Sequence, residues 1–273
     1  MTIHLLLSPA KTLDFEKYDL VDRYFHDRQL IQKPALIDQA KQIMQVLKQK
    51  SQSEISDMMD LSEKLSTLNL QRFQDWQGQS KYPTIYAYQG DVYQGLKAET
   101  FDIKQLERAN ERIHIISGLY GLLSPFDGIE AYRLEMGTAL QVGKFKDLYA
   151  FWGSCITDHL IQKMKSGDIL LNLASIEYSK AIDFKKIETV GIDVYHSQFL
   201  DEKNQKFKII SFYAKYARGL MGRFCILDDG EENLDKIKRF NLEGYVFDEN
   251  RTEIESSGHL GQKTLVWIRD HAH

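Results

Sequence analysis

An α/β (α+β) fold, with a mixed β-sheet flanked by helices, follows from three features of the sequence. Short apolar runs alternate with amphipathic helical stretches through the first two thirds of the chain, the pattern of strands joined by helical crossovers. Two apolar runs near residues 192–210 are separated only by a short polar turn, which makes them antiparallel neighbours. The composition is globular, with 43% hydrophobic and 27% charged residues and only 4 prolines among 273 residues, enough to bury a sizeable core. No internal repeat, low-complexity segment or composition shift marks a linker. The expectation is therefore one domain over residues 1–273, including a small helical insert at about 51–77.

The elements justify themselves in order. "HLLLSPAKTL", residues 4–13, is an apolar run that closes on Ser8, Pro9, Ala10 and Lys11, and open α/β sheets place ligands at such carboxyl ends. Residues 14–34 show no sustained period. From Pro34 to Gln49, Leu36, Ile37, Ala40, Ile43, Met44 and Leu47 recur at helical spacing, with Pro34 suited to the first turn. The stretch 51–78 reads as short helices separated at 60–62 and again near Asn69, with Ser53 and Asn69 as candidate caps. Thr84 to Tyr88 reads as a β run turned at Gly90, and Ile113 to Ser117 as a strand ended by Gly118. One helix is expected through "KDLYAFWGSCITDHLIQKM", then a strand from Ile169 to Leu173. A hairpin turning at Asp201 to Asn204 leads into the helix "AKYARGLMGRFCI". A short strand, a polar connection over 248–261 and a terminal strand at Thr264 to Ile268 complete the chain.

Charge and cysteine usage narrow the function classes. The net charge of −4 gives no bulk attraction to nucleic acid or anionic lipid, so any such contact depends on local charge. Cys155 and Cys225 are isolated, no signal-peptide core follows the amino terminus, and a reducing cytoplasm is expected. The eight histidines, at 4, 26, 114, 159, 196, 259, 271 and 273, form no HExxH and no Cys/His cluster, so neither metal nor cofactor is expected. His114 sits inside an apolar strand and reads as a packed, hydrogen-bonded residue. Ser8, Ser117 and Ser175 lack the GxSxG context of a nucleophile elbow, and "GLYGLL" lacks the spacing of a phosphate-binding loop.

Five polar stretches follow apolar ones: Ser8 to Lys11, Gly90 to Tyr93, residues 117–137 with Arg133 and Glu135, residues 172–180 with Glu177, Tyr178 and Lys180, and "FYAKYARGLMGRF". In the last, Lys215 and Arg218 lie three apart on one helix face, and Arg223 follows. The window 201–224 carries six cations against two acids. Should these segments converge, they form a cleft with Lys11, Arg133, Lys180, Lys215 and Arg218 on its wall and Asp91, Glu135 and Glu177 interleaved. Such cations bind phosphate oxygens through charge-assisted hydrogen bonds, and Gly219 and Gly222 would admit a backbone closely. Tyr93, Tyr132, Tyr178 and Tyr213 are either base-stacking surfaces or apolar walls.

The motifs "LLSPAKTL" (6–13), "LSEKLSTLN..RF..W" (61–76), "GDVYQGL" (90–96), "SGLYGLLSPFD.IE.YRLEMG" (117–137), "NLAS.EYSK" (172–180), "KFKIISFYAKYARGLMGRF" (206–224) and "GYVFDE" (244–249) together resemble the YaaA family of peroxide-stress-resistance proteins. The resemblance implies a cytoplasmic protein that limits oxidative damage by keeping intracellular free iron low. It also implies a helix-hairpin-helix element, here around 56–72, beside a basic cleft that binds double-stranded DNA; no base-reading element is identifiable in the sequence, so binding without sequence specificity is expected. Carried onto this sequence, the nucleic-acid set is Lys11, Lys64, Arg72, Arg133, Lys180, Lys215, Arg218 and Arg223. The alternative is an enzyme acting on a small anionic or nucleotide-like substrate in the same cleft, with Lys180 or Lys215 as base or clamp and Glu177 or Glu135 as partner. Direct iron handling by Asp91, Glu135 and Glu177 is a third reading, disfavoured because they are not in a ferritin-like pairing. No membrane association is expected and no protein partner is predictable.

Overall fold

A computed structural model describes residues 1–16, 24–25, 30–79, 81–253 and 263–270. Among them, eight strands form one mixed sheet: β1 (Ile3–Leu7), β2 (Ile113–Ser117), β3 (Gly121–Leu123), β4 (Ile169–Asn172), β5 (Asp193–Glu202), β6 (Phe207–Lys208), β7 (Val246–Phe247) and β8 (Thr264–Arg269). Their order is β7-β8-β5-β4-β1-β2-β3, with β6 paired to the far end of β5. The five strands from β8 to β2 run parallel, and β3, β6 and β7 are antiparallel additions. The central parallel strands β1, β2 and β4 are largely apolar and buried throughout, as expected when helices cover both faces of a sheet. The mixed α/β sheet anticipated from the sequence is thus observed.

Helices flank this sheet: α1 (Ile37–Leu47), α2 (Gln52–Met59), α3 (Glu63–Gln74), α4 (Asp91–Leu96), α5 (Ile103–Arg112), α6 (Leu148–Trp152), α7 (Cys155–Ile161), α8 (Ile176–Ser179), α9 (Phe184–Thr189), α10 (Ser211–Leu227) and α11 (Leu234–Lys238). The chain places β2 on one side of β1 and then returns to place β4 on the other. That reversal opens a crevice at the carboxyl ends of β1 and β4, where doubly wound sheets bind ligands.

Local details differ from the sequence reading, each for a visible reason. Ser51, not Ser53, caps α2, in a reciprocal capping box with Glu54. Asn69 does not start a helix: it lies buried within α3, its Nδ2 donating to Leu65 O at 2.8 Å. Of the β run expected at 84–88 only Tyr88 lies in a strand, Tyr88–Gln89, while Thr84–Ala87 is a helical turn whose first two amides bond to Asp127 O and Pro125 O. The helix expected over 146–164 breaks at Gly153, which takes φ +48° between α6 and α7. The hairpin after β5 turns through 203–206, because Asp201 and Glu202 still pair with Lys208 and Phe207. Part of the stretch 14–34, the connection at 254–262, and His26, His259, His271 and His273 lie outside the described residues.

Period-two alternation places His4 of β1 and His114 of β2 on one face, and His4 Nδ1 lies 3.0 Å from His114 Nε2. His4 Nε2 in turn faces Asp168 Oδ2 at 3.4 Å. Burial pushes both histidine pKa values down, so the expectation that His114 is a packed, hydrogen-bonded residue holds. Cys225 is buried, Cys155 partly buried, and both are free.

Candidate functional site

The crevice at the ends of β1 and β4 is closed by the residues that terminate those strands. Ser8 Oγ accepts the Ser175 N–H at 2.9 Å and approaches Ser175 Oγ at 3.3 Å. Tyr93, from α4, donates its hydroxyl to Ser8 O at 3.0 Å and so fixes the backbone of "SPAK". The third wall is α10, which crosses α4 at very short range. A Cβ on Gly219 would stand 1.8 Å from Val92 O, and one on Gly95 would stand 2.3 Å from Tyr216 O. Two glycines therefore let these helices touch backbone to backbone. Gly222 faces Leu96 in the same crossing, so these glycines serve helix packing and not the close approach to an anion read from the sequence.

This crossing sets Lys215 and Arg218 beside Ser8, Lys11, Gly90 and Tyr93, around a cleft of about 320 Å³ that Asp91, Ser175, Glu177 and Tyr178 also line. Its size is at the lower end of small-ligand sites. Residues from β1, α4, α8 and α10 thus meet. The 117–137 segment joins them through Glu135, which pairs with Lys11 Nζ at 2.6 Å and Arg133 Nη2 at 3.1 Å. Glu177 Oε1 accepts the Gly137 N–H at 3.0 Å, and Tyr149 donates to Glu177 O at 2.9 Å.

Charge in the cleft is unevenly satisfied. Lys11 and Arg133 share the single carboxylate of Glu135, whereas Lys215 and Arg218 have no ion pair among the described residues. Arg218 is the more exposing case for the energetics. Its Nε is buried with no hydrogen-bond partner, and burial alone lowers its pKa. A buried donor without a partner typically costs about 1–3 kcal/mol. An anion in the cleft would pair the charge that Arg218 carries without an ion pair in the free protein.

The tyrosines below the cleft are wall and scaffold. Tyr88 and Tyr132 hydroxyls lie 2.6 Å apart, and Ser117 Oγ is 2.7 Å from Tyr132. Burial raises the pKa of Tyr93 and Tyr178 and lifts that of Tyr132 to about 12, so all remain protonated donors at neutral pH. Tyr213 stands elsewhere, under the Arg269 guanidinium at 4.6 Å.

Five of the eight basic residues read as site residues lie outside this cleft; Arg133 borders a small recess beside it with Lys11 and Glu135. Lys180 is exposed, 5.6 Å above the Tyr149 ring, and borders a different cavity. Arg223 turns back to donate to Leu96 O, Lys97 O and Thr100 Oγ1, and covers Phe101. Arg72 lines a separate recess with Asp14, Phe15 and Gln79, and Lys64 is exposed on α3. α2 and α3 do form a helical pair. Its turn is already engaged, however: the Asp60 and Leu61 amides both bond Ser56 O, and Ser56 Oγ donates to Leu61 O at 2.7 Å.

Sequence reasoning missed the Ser8–Ser175 clasp and the Tyr93 tether, because hydroxyls at strand ends carry no spacing signal. It also missed His196 and Asn172, which meet beyond the cleft. Among the described residues, no group of three or more His, Cys, Asp or Glu side chains could hold a metal ion. No helix among them is long and apolar enough to cross a membrane.

With this geometry in place, comparison with known proteins decides the family. A family profile described as peroxide stress protein YaaA matches residues 3–251. The chain belongs to the YaaA peroxide stress protein family. Similar proteins include a UPF0246 protein of Marinomonas sp. strain MWYL1, 44% identical over 247 residues that cover 89% of this chain and 91% of the relative. A UPF0246 protein of Flavobacterium johnsoniae is 41% identical over 250 residues, covering 90% and 95% respectively. The family profile spans every segment that builds the cleft, from Ser8 to Arg218.

Proposed function

We propose that this peroxide stress protein acts, in the cytoplasm and as one domain, by binding a small phosphate- or carboxylate-bearing molecule in the cleft at the ends of β1 and β4. The observation that carries this reading is Arg218, a half-buried cation with no ion pair among the described residues and a buried Nε without a hydrogen-bond partner, at a topological switch point. Arg218 and Lys215 supply charge-assisted hydrogen bonds to the anion, and the Ser8 and Ser175 hydroxyls supply shorter-range orientation. Asp91 and Glu177 at the rim select against ligands carrying excess negative charge. In an enzymatic version, Lys215 clamps the acidic group and Glu177 moves the proton. Restraint of free iron would then be a consequence of what the ligand does in the cell.

Titration calorimetry with inorganic phosphate tests this directly. Wild-type binding that is lost in Arg218→Met and weakened in Lys215→Ala supports it; equal binding in all three proteins removes it.

Duplex DNA is the second reading, favoured by the α2–α3 pair standing where the resemblance places a helix-hairpin-helix element. Lys64 and Arg72 would then contact phosphates together with Lys11 and Lys215. Anisotropy of a labelled duplex measured against salt separates the two, because phosphate neutralisation gives a steep fall of affinity with salt. A duplex that binds with such a slope, weakened by Lys64→Ala, would favour DNA over the small anion.

A further inference from the structure

A second cavity, of about 610 Å³, lies on the other side of α8. The short turn from Ala174 to Lys180 divides the two spaces. Ser175, Glu177 and Tyr178 line the first, while Ala174, Ile176, Ser179 and Lys180 line the second. α10 contributes to both by its own periodicity: Lys215 and Arg218 face the first, and Ala214 and Arg218, one turn apart, face the second. Arg218 is the residue that the two share.

The chemistry of the second chamber differs from that of the first. Phe184, Ile182, Ile209 and Ala214 give it apolar walls, and Asn172, His196, Ser197 and Gln198 give it a polar edge. The hydrogen bonds define what His196 presents. Asn172 Oδ1 accepts the Ala174 N–H at 3.0 Å, so its amide nitrogen is the atom facing His196 Nδ1, also at 3.0 Å. Nδ1 is therefore an acceptor, and the ring proton sits on Nε2. Among the described residues Nε2 has no partner, which leaves it a donor for a ligand. Burial pushes the His196 pKa down to about 4, so the ring stays neutral. Phe184 packs edge-on against it with centroids 4.7 Å apart, which fixes its plane. An apolar slot with one oriented N–H donor suits a flat heteroaromatic ring that carries an acceptor nitrogen or carbonyl.

We infer that the two chambers hold the two ends of one ligand, a nucleoside monophosphate unit, with its phosphate on Arg218 and Lys215 and its base in the chamber of His196 and Phe184. This rests on the anion-site reading above and names the class of molecule that the site takes. The guanidinium at the partition serves the phosphate at the point where the ligand crosses beside α8. The same unit is presented either by a free nucleotide or by the phosphorylated end of a nucleic-acid strand.

Calorimetry with inorganic phosphate, adenosine, AMP, GMP, CMP and UMP, and with a 5′-phosphorylated single-stranded hexanucleotide, tests this. At least one monophosphate, or the hexanucleotide, should bind ten-fold or more tightly than phosphate alone, and whichever binds more tightly identifies the source. Ser179→Phe, which fills the chamber from its rim, and His196→Leu, which removes the donor, should each return that affinity to the phosphate level while phosphate binding itself persists. Retained phosphate binding in both variants shows that they are folded. Monophosphates no tighter than phosphate, or tight binding that survives both variants, overturn the nucleotide assignment and leave the anion site standing. Absence of binding by phosphate and nucleotides alike removes both.

Discussion

Replacing Arg218 by Met separates the cost of this side chain from its use. In the free protein its Nε is a buried donor with no acceptor, and burial disfavours its charge. Met keeps most of the stem's packing and ends in the cleft, so it opens no closed void. Removing an unsatisfied buried donor returns about 1–3 kcal/mol, less what the shorter side chain loses in contacts. The free variant should therefore be as stable as wild type, or more stable by about 1 kcal/mol, which is a rise in Tm of about 2–4 °C for a chain of this size. Binding should move the other way. Each charge-assisted hydrogen bond to an anion contributes about 1.5–3 kcal/mol, so phosphate affinity should fall about 10- to 150-fold. Urea unfolding gives the first quantity and calorimetry the second. A variant that unfolds more easily by about 3 kcal/mol or more, the penalty of breaking a buried ion pair, and that binds phosphate unchanged would show that Arg218 is structural.

Three further outcomes follow from the geometry. Gly219→Ala puts a methyl group 1.8 Å from Val92 O, a clash with backbone that only a shift of α10 can relieve; it should cost about 1–3 kcal/mol or more and weaken phosphate binding as Lys215 and Arg218 move, and an unchanged Tm would contradict the helix contact. His4, His114 and His196 all have pKa values lowered by burial, so below about pH 6.5 the unfolded chain takes up protons that the folded one refuses. Stability is full above that pH and falls as the pH drops from about 6.5 toward the lowered folded values, by up to about 1.4 kcal/mol per pH unit for each histidine. Asp127, raised to about 6 by burial, opposes one of the three in the window below pH 6; urea midpoints that stay flat between pH 7 and pH 5 would refute the assignment of neutral buried rings. Glu135→Gln frees Lys11 and Arg133 from their shared carboxylate and should raise phosphate affinity roughly two-fold, with a steeper salt dependence; weaker binding would mean that Glu135 orients the site.

The continuous apolar runs at 3–7, 113–117 and 169–172 were legible because a strand buried on both faces has no polar alternation to confuse it. Thr84 to Tyr88 misled for the complementary reason: β-branched and aromatic residues favour strands, but here tertiary hydrogen bonds to Asp127 and Pro125 fix a helical turn. The site was legible in the polar ends of those strands and in the Lys215/Arg218 spacing. Arg223 follows Arg218 by five residues, which turns it about 140° around the helix and away from the cleft. Lys180 escapes that logic: three residues after Glu177 it is only about 60° away on an ideal helix, and it parts from Glu177 because α8 is a single turn standing between the two chambers. What no local pattern could show was Gly219 against Val92, a contact between residues far apart in sequence that sets where the two cations stand.

The central claim is that Arg218 waits for an anion. The most direct measurement is an anomalous difference map from crystals of the protein grown in selenate, a tetrahedral stand-in for phosphate. The account predicts a peak in the cleft between β1, α4 and α10, with selenate oxygens about 2.7–3.2 Å from the Arg218 guanidinium. Peaks confined to exposed surface lysines, with the cleft holding none, would contradict it.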